Sequence, residues 1–135
     1  MPYKNIFLAT LLAASCFVQG ITQSPTTPLD WINFSPFTES GQDPENGDTI
    51  SISQIIALLD SIRPYTNGIR TFGTQNGLEY IPQLAKARGL NVIVGIWIDN
   101  DKSTNNQQIA NGIAIANSGF ADRLIVANEL LLNKT

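Results

Sequence analysis

Past residue 28 the chain alternates between two kinds of apolar pattern. Short unbroken apolar runs read as buried strands, and apolar positions three and four apart read as one face of a helix. The segment 31–35 (WINFS) is a candidate strand, followed by a loop over 41–48 that carries Pro44 and Gly47. Ser51 or Ser53 then stands ready to cap a helix whose apolar positions are Ile52, Ile55, Ile56, Leu59 and Ile62, with Pro64 as its stop. A short strand at 68–72 (GIRTF) comes next. The helix after it starts near Leu78, tolerates Pro82 in its first turn, presents Leu78, Ile81, Leu84 and Ala85, and ends at Gly89. The run 91–98 (NVIVGIWI) is the most apolar stretch after the N-terminal region and predicts a strand buried on both faces. A polar loop at 99–104 leads to a third helix, capped by Asn105 or Asn106 and facing inward through Ile109, Ile113 and Ala116. A fourth strand covers 124–127.

This order is (βα)₃β, and such alternation implies an α/β fold with a parallel sheet and right-handed crossovers. Strand starts near 31, 69, 92 and 124 recur about every 31 residues, the average of an eight-unit barrel of about 250 residues. An open doubly wound sheet has a similar spacing. Nothing resembling G-x-G-x-x-G or a P-loop follows any strand, so neither a nucleotide nor any other cofactor is expected.

Residues 1–20 stand apart. Lys4 precedes the apolar run 6–18, too short to cross a bilayer, and the next charge is Asp30. A positive start before such a run predicts a secretory signal, hence export to the medium or the cell envelope. Two ends compete. Val18-Gln19-Gly20 is an acceptable small-residue cleavage site. The run 12–16 (LAASC) resembles a lipobox, in which Cys16 would carry a lipid anchored in a membrane; Ala13 stands where leucine is favoured. As a plain apolar filler Cys16 has no role. As the single cysteine it forms no internal disulfide. Residues 21–28, rich in Thr, Ser and Pro, read as an extended linker, and 29–135 as the folded part.

The 135 residues suffice for one modest core; 43% are hydrophobic, 14% charged, and the net charge is −3. No basic patch exists, so nucleic acid is not an expected partner. Histidine is absent, which removes Ser-His-Asp and Cys-His catalysis and most zinc sites. Catalysis, if the chain has any, falls to carboxylates, amides and aromatics.

In α/β folds ligands bind where strands end. Those ends are 34–37, 72–75, 97–101 and 128–129, and together they offer what a carbohydrate site uses: aromatic faces for sugar rings, amides and carboxylates for hydroxyls. Glu129, at the end of the run 125–132 (IVANELLL), is the sharpest candidate. A glutamate among apolar neighbours has a raised pKa and serves as a general acid; a solvated strand exit is the plainer reading. Asn128 beside it suits a sugar hydroxyl. Asp99 is a substrate contact or, with Asp101, half of a metal pair. As a calcium loop the segment fails, with Thr104 and Ala110 where glycine and glutamate are required, so no metal is expected; a polar loop with helix-capping residues explains both aspartates. Arg70, if it points inward, requires a carboxylate partner. Trp97 stacks on a sugar or packs in the core. Two glycosylation sequons, at Asn33 and Asn133, are discounted by their placement in a strand and at the terminus.

The strings WINFSPF, GQDP, IRTFGT, GLEYIPQLAKARGLNVIVGIWIDND and ADRLIVANELLL, in this order over 31–132, resemble glycoside hydrolase family 17, the β-1,3-glucanases and related glucanosyltransferases, and most of all its bacterial branch. The resemblance implies a retaining TIM (β/α)₈ barrel acting on β-1,3-glucan. It makes Glu129 the strand-four acid/base, Asn128 its substrate-orienting neighbour, and Phe34, Arg70, Trp97 and Asp99 candidate substrate contacts. The family's nucleophile is a glutamate at the end of strand seven. Family members usually read V-G-N-E where this chain has Val126-Ala127-Asn128-Glu129, and often carry tyrosine at the position of Phe34.

On this reading the chain is the N-terminal half of such a barrel, about four βα units. It holds the acid/base and lacks the nucleophile, so it is expected to be inactive alone, with the missing C-terminal half-barrel as a partner. The alternatives are a non-catalytic glucan-binding or cell-envelope protein, a transglycosylase fragment, and a small flavodoxin-like domain.

Overall fold

The computed structural model describes residues 27–127. The signal-like segment, Cys16, Asn128 and Glu129 lie outside the described residues. The architecture is α/β: a four-stranded parallel sheet with three helices. The elements run β1 (Ile32–Asn33), α1 (Ile52–Ile62), β2 (Gly68–Arg70), α2 (Ile81–Lys86), β3 (Asn91–Ile96), α3 (Lys102–Asn117) and β4 (Arg123–Val126). Strand order follows chain order, β1-β2-β3-β4, and every neighbouring pair is parallel. Among the described residues no helix is long and apolar enough to cross a membrane.

The helices start and stop where local chemistry dictates. The Ser51 hydroxyl accepts from the Gln54 N–H at 3.2 Å and caps α1; beyond Ile62 a 3₁₀ turn over Arg63–Tyr65 takes in Pro64. A second 3₁₀ turn, Leu78–Tyr80, leads into α2, whose first turn holds Pro82. Gly89, at φ +77°, reverses the chain after α2, and the Leu90 N–H bonds back to the Ala85 carbonyl at 3.1 Å.

Strand alternation sorts the sheet into two faces. Phe34, Ile69, Val92 and Val94 belong to one core cluster with Ile55 and Leu59 of α1, Ile81 and Ala85 of α2, and Ile115 of α3. All three helices therefore cover the same face. That is the geometric result of sequential strands joined by right-handed crossovers in one direction. The other face carries Trp31, Asn33, Arg70, Phe72, Ile93, Trp97 and Ile125, none of them fully buried. The expectation that β3 is buried on both faces thus fails: Val92, Val94 and Ile96 are buried, whereas Ile93 and Trp97 are not, because no described element lies over the second face.

Helix α3 departs furthest from its sequence pattern. Its cap is Asp101, not Asn105 or Asn106: the Asp101 carboxylate accepts from the Ser103 N–H at 2.8 Å and from the Thr104 hydroxyl at 2.7 Å. Those bonds, the hydroxyl's first, hold its carboxyl below the ordinary aspartate value. Its buried residues are Gln108, Gly112 and Ile115, while Ile109 and Ile113 are 37% and 51% exposed. The physical reason is close approach. A Cβ on Gly112 would lie 2.5 Å from Ile96 Cδ1, so the glycine is what lets α3 settle on β3. Side chains of Gln108 and Asn111 reach back to the exit of β2, so the face that carries them is the one turned inward and Ile109 and Ile113 are left exposed. Leu124 and Val126 of the edge strand β4 are exposed as well.

Asp122 ties the layers at the other end of the sheet. Its carboxylate accepts from Lys86 Nζ at 2.6 Å and from the Val92 N–H at 2.6 Å, and its own N–H donates to the Val92 carbonyl at 2.8 Å. The Lys86 ammonium first, then the Val92 N–H, holds its carboxyl below the ordinary value.

Two predictions follow from this packing. Ile115→Ala should cost about 2–4 kcal/mol in urea unfolding, whereas Ile113→Ser should change stability by less than about 0.5 kcal/mol, the reverse of what the apolar pattern suggests. Asp122→Asn should cost about 1 kcal/mol near neutrality, a modest figure because the side chain is 38% exposed and screened by solvent. A depressed carboxyl pKa stabilises the fold above the unfolded-state value, and that contribution is lost as pH falls through the folded-state value. The gap between parent and variant should therefore close in acid, as urea melts from pH 7 to 3 will record.

Candidate functional site

The C-terminal ends of β1, β2 and β3 open onto one rim, built from three loops that are each pinned. The loop after β1 is held by Gln54 of α1, whose Nε2 donates to the Pro36 carbonyl at 2.8 Å. Gln42 bonds the Gln54 amide at 2.9 Å and accepts from the Thr38 and Glu39 N–H groups at 3.2 and 3.1 Å. The loop after β2 is clamped by α3. Gln108 Oε1 accepts from the Thr74 N–H at 2.7 Å and lies 2.8 Å from its hydroxyl, and Asn111 donates to the Thr74 carbonyl at 2.6 Å. Gln108 Nε2 also donates to Gln75 at 3.2 Å. Thr74 and Gln108 are both buried, so this is a polar network in which each group meets a partner.

The loop after β3 organises itself. Asp99 Oδ1 accepts from the Asp101 N–H at 2.7 Å, while Asn105 bonds both the N–H and the carbonyl of Asp99 at 2.9 Å. Asp99 is half-buried, and at least one of its carboxylate oxygens serves the turn, while Asp101 caps α3. Among the described residues no group of three or more carboxylate, cysteine or histidine side chains comes together in a way that could hold a metal ion.

The remaining sequence candidates fall in different places. Phe34 is 6% exposed and packs in the core cluster under the helices. Arg70 lies on the opposite face, in one register row with Asn33, Ile93 and Arg123. Its guanidinium carbon sits 5.0 Å from the centroid of the Phe72 ring, a cation–π contact, and the side chain is an engaged one and not a free charge. Trp97, half-buried, extends β3 on that same face toward the rim. At the opposite end Trp31 lies against Gly68, where an added Cβ would come within 2.6 Å of the indole ring. Arg70, Phe72 and Trp97 are thus brought to one face; Phe34 is not among them; Asn128 and Glu129 lie outside the described residues.

Sequence reasoning missed three features. Phe72 beneath Arg70 was readable, since residues two apart on a strand share a face. Gln108 was hidden, because the stronger apolar signal beside it pointed to another helix face. Ala127, whose φ is +69°, gave no signal of its own, because alanine is not a turn residue.

Compared with protein-family models, with curated proteins and with solved structures, the chain matches none.

The clamp gives a test of the rim. Gln108→Ala strips the buried Thr74 N–H of its acceptor, and should cost about 1–3 kcal/mol in thermal or urea unfolding. Asn106, exposed two residues earlier, should be replaceable by alanine at less than about 0.5 kcal/mol.

Proposed function

We propose that the chain is part of a retaining glycoside hydrolase acting on β-1,3-glucan, and that its sheet is the first half of a (β/α)₈ barrel. One observation carries the reading: among the described residues, four parallel strands in sequential order with all three α-helices on one face. A doubly wound sheet reverses its strand order and covers both faces. A barrel never reverses, and its inner face is lined by side chains of the kind left uncovered here. The resemblance of residues 31–132 to glycoside hydrolase family 17 supplies the chemistry.

On this proposal Glu129 is the general acid/base. It protonates the departing glycosidic oxygen while a second carboxylate attacks the anomeric carbon, giving a glycosyl-enzyme. Glu129 then takes the proton of the incoming water or sugar hydroxyl, which displaces the second carboxylate and restores both groups. Water makes a hydrolase and a sugar acceptor makes a transglycosylase. The nucleophile is assigned to a later strand, outside these 135 residues, about 5–5.5 Å from Glu129 across the sugar. Asn128 bonds a hydroxyl next to the reacting carbon, Trp97 stacks on a ring, and Arg70 and Asp99 contact substrate or its carboxylates. A signal at 1–20, with or without lipid on Cys16, sends the protein out of the cytoplasm to meet polysaccharide.

The test is release of reducing sugar from laminarin. A polypeptide continuing through four further units should hydrolyse it, and Glu129→Gln should lower kcat by about 10²–10⁴-fold. The 135-residue chain alone should release nothing, and Glu129-dependent turnover by it would refute the two-carboxylate assignment. The same aromatic and amide groups favour one other reading, a non-catalytic glucan-binding protein. Calorimetric titration separates the two: laminarin binding by both chains with no turnover by either would select it.

A further inference from the structure

The amides that clamp the loop after β2 fix one another's orientation. The Thr74 N–H can only donate, so the Gln108 atom 2.7 Å from it is the oxygen, Oε1. The other end of Gln108 is therefore its NH₂ group, a donor. The Gln75 atom 3.2 Å from that nitrogen must then be an acceptor, the oxygen Oε1. Gln75 thus meets the clamp through its oxygen. Its own nitrogen, Nε2, is at the other end of the amide and has no partner among the described residues.

The other amides that hold the rim loops are closed at both ends. Gln42, Gln54, Asn105, Gln108 and Asn111 each have nitrogen and oxygen engaged with protein groups. Gln75 is half-buried, stands three residues beyond Phe72, and follows the buried Thr74. An NH₂ group on a side chain already fixed at its other end is ordered before any ligand arrives, so binding costs little of its conformational freedom. Its two N–H groups are neutral and suit the hydroxyl and ether oxygens of a sugar, which accept hydrogen bonds and carry no charge. An anion would call for a guanidinium in this place, and the net charge of −3 repels one.

We propose that Gln75 is a substrate-binding residue of the rim, donating through Nε2 to a sugar oxygen, and that Gln108 is the positioning residue that turns the amide that way. This rests on the reading of the rim as a glucan site and adds a contact that the strand-end pattern did not single out. Gln108 reaches no ligand in this scheme and acts through Gln75. Its identity matters: a glutamate at position 108 would accept at both ends, and Gln75 would turn its nitrogen inward to meet it, leaving an oxygen at the rim.

The experiment is ¹⁵N NMR of the full chain, with the side-chain NH₂ signals of Gln75 and Gln108 assigned through their backbone neighbours. Without ligand, the Gln108 NH₂ protons should exchange slowly with water and those of Gln75 fast; in Gln108→Glu those of Gln75 should slow. Titration with laminaritriose should shift the Gln75 NH₂ signals. Gln75→Glu keeps the acceptor that faces Gln108 and removes the donor, so it should weaken laminaritriose binding by about 5–10-fold and keep the melting temperature within about 2 °C of the parent. It carries the test if the buried charge of Gln108→Glu prevents folding. A purely structural role for Gln75 predicts parent-like binding by Gln75→Glu. That result, or slow exchange at Gln75 in the free parent, or unshifted Gln75 signals while the parent binds, overturns the proposal and leaves the glucan reading intact. Absence of any laminaritriose binding by the parent overturns the glucan reading and this contact with it.

Discussion

Everything in this structure depends on β3. Its Val92, Val94 and Ile96 face the helices and are buried beneath α2 and α3, while its backbone bonds β2 on one side and β4 on the other. Two glycines allow this strand to be so central. A Cβ on Gly95 would come within 2.3 Å of the Thr71 carbonyl oxygen, so the β2–β3 contact past Arg70 needs a bare backbone there. Gly112 does the same for the helix above, letting α3 rest on Ile96. Burial along one strand thus sets the distance of the helix layer and the spacing of the neighbouring strands.

That one-sided burial divides the molecule's labour. The helix face holds the apolar contacts that stabilise the fold. The opposite face carries Arg70 and Arg123, aromatic rings and half-exposed apolar residues, aligned by the strand register. At the rim the loops are held mainly by side-chain amides and hydroxyls: Gln54 and Gln42 for the first, Gln108 and Asn111 for the second, Asn105 for the third. Much of the chain's supply of Asn, Gln, Ser and Thr is thus spent on the loops themselves. A neutral amide suits this task because it donates and accepts at once and carries no charge to desolvate.

Much of the fold was readable before the structure. The order of elements, the parallel sheet, the Ser51 cap, the Pro64 stop and the Gly89 reversal all follow from propensities acting over a few residues. The candidate site was less legible. Asp99 and Asp101 looked like chemistry and are used at least in part for turn and cap; Phe34 looked like a ring at a rim and is core. A strand end in sequence says where a side chain stands along the strand. It does not say which face it takes or which backbone group claims it first.

By itself, the sequence determined which segments are strands and helices and that they alternate, because period and capping are local properties of the chain. It also set the candidate pair Asn128-Glu129 immediately behind β4. Tertiary structure alone decided that all three helices share one face, that α3 buries Gln108, Gly112 and Ile115 in place of Ile109 and Ile113, and that the chain turns left-handed at Ala127. Each of these is settled by a partner distant in sequence: a crossover's direction, Ile96 and Thr74 against one helix, the Ile96 carbonyl against one amide. Local pattern cannot rank such contacts, because the free energy that chooses among them arises only when the layers meet.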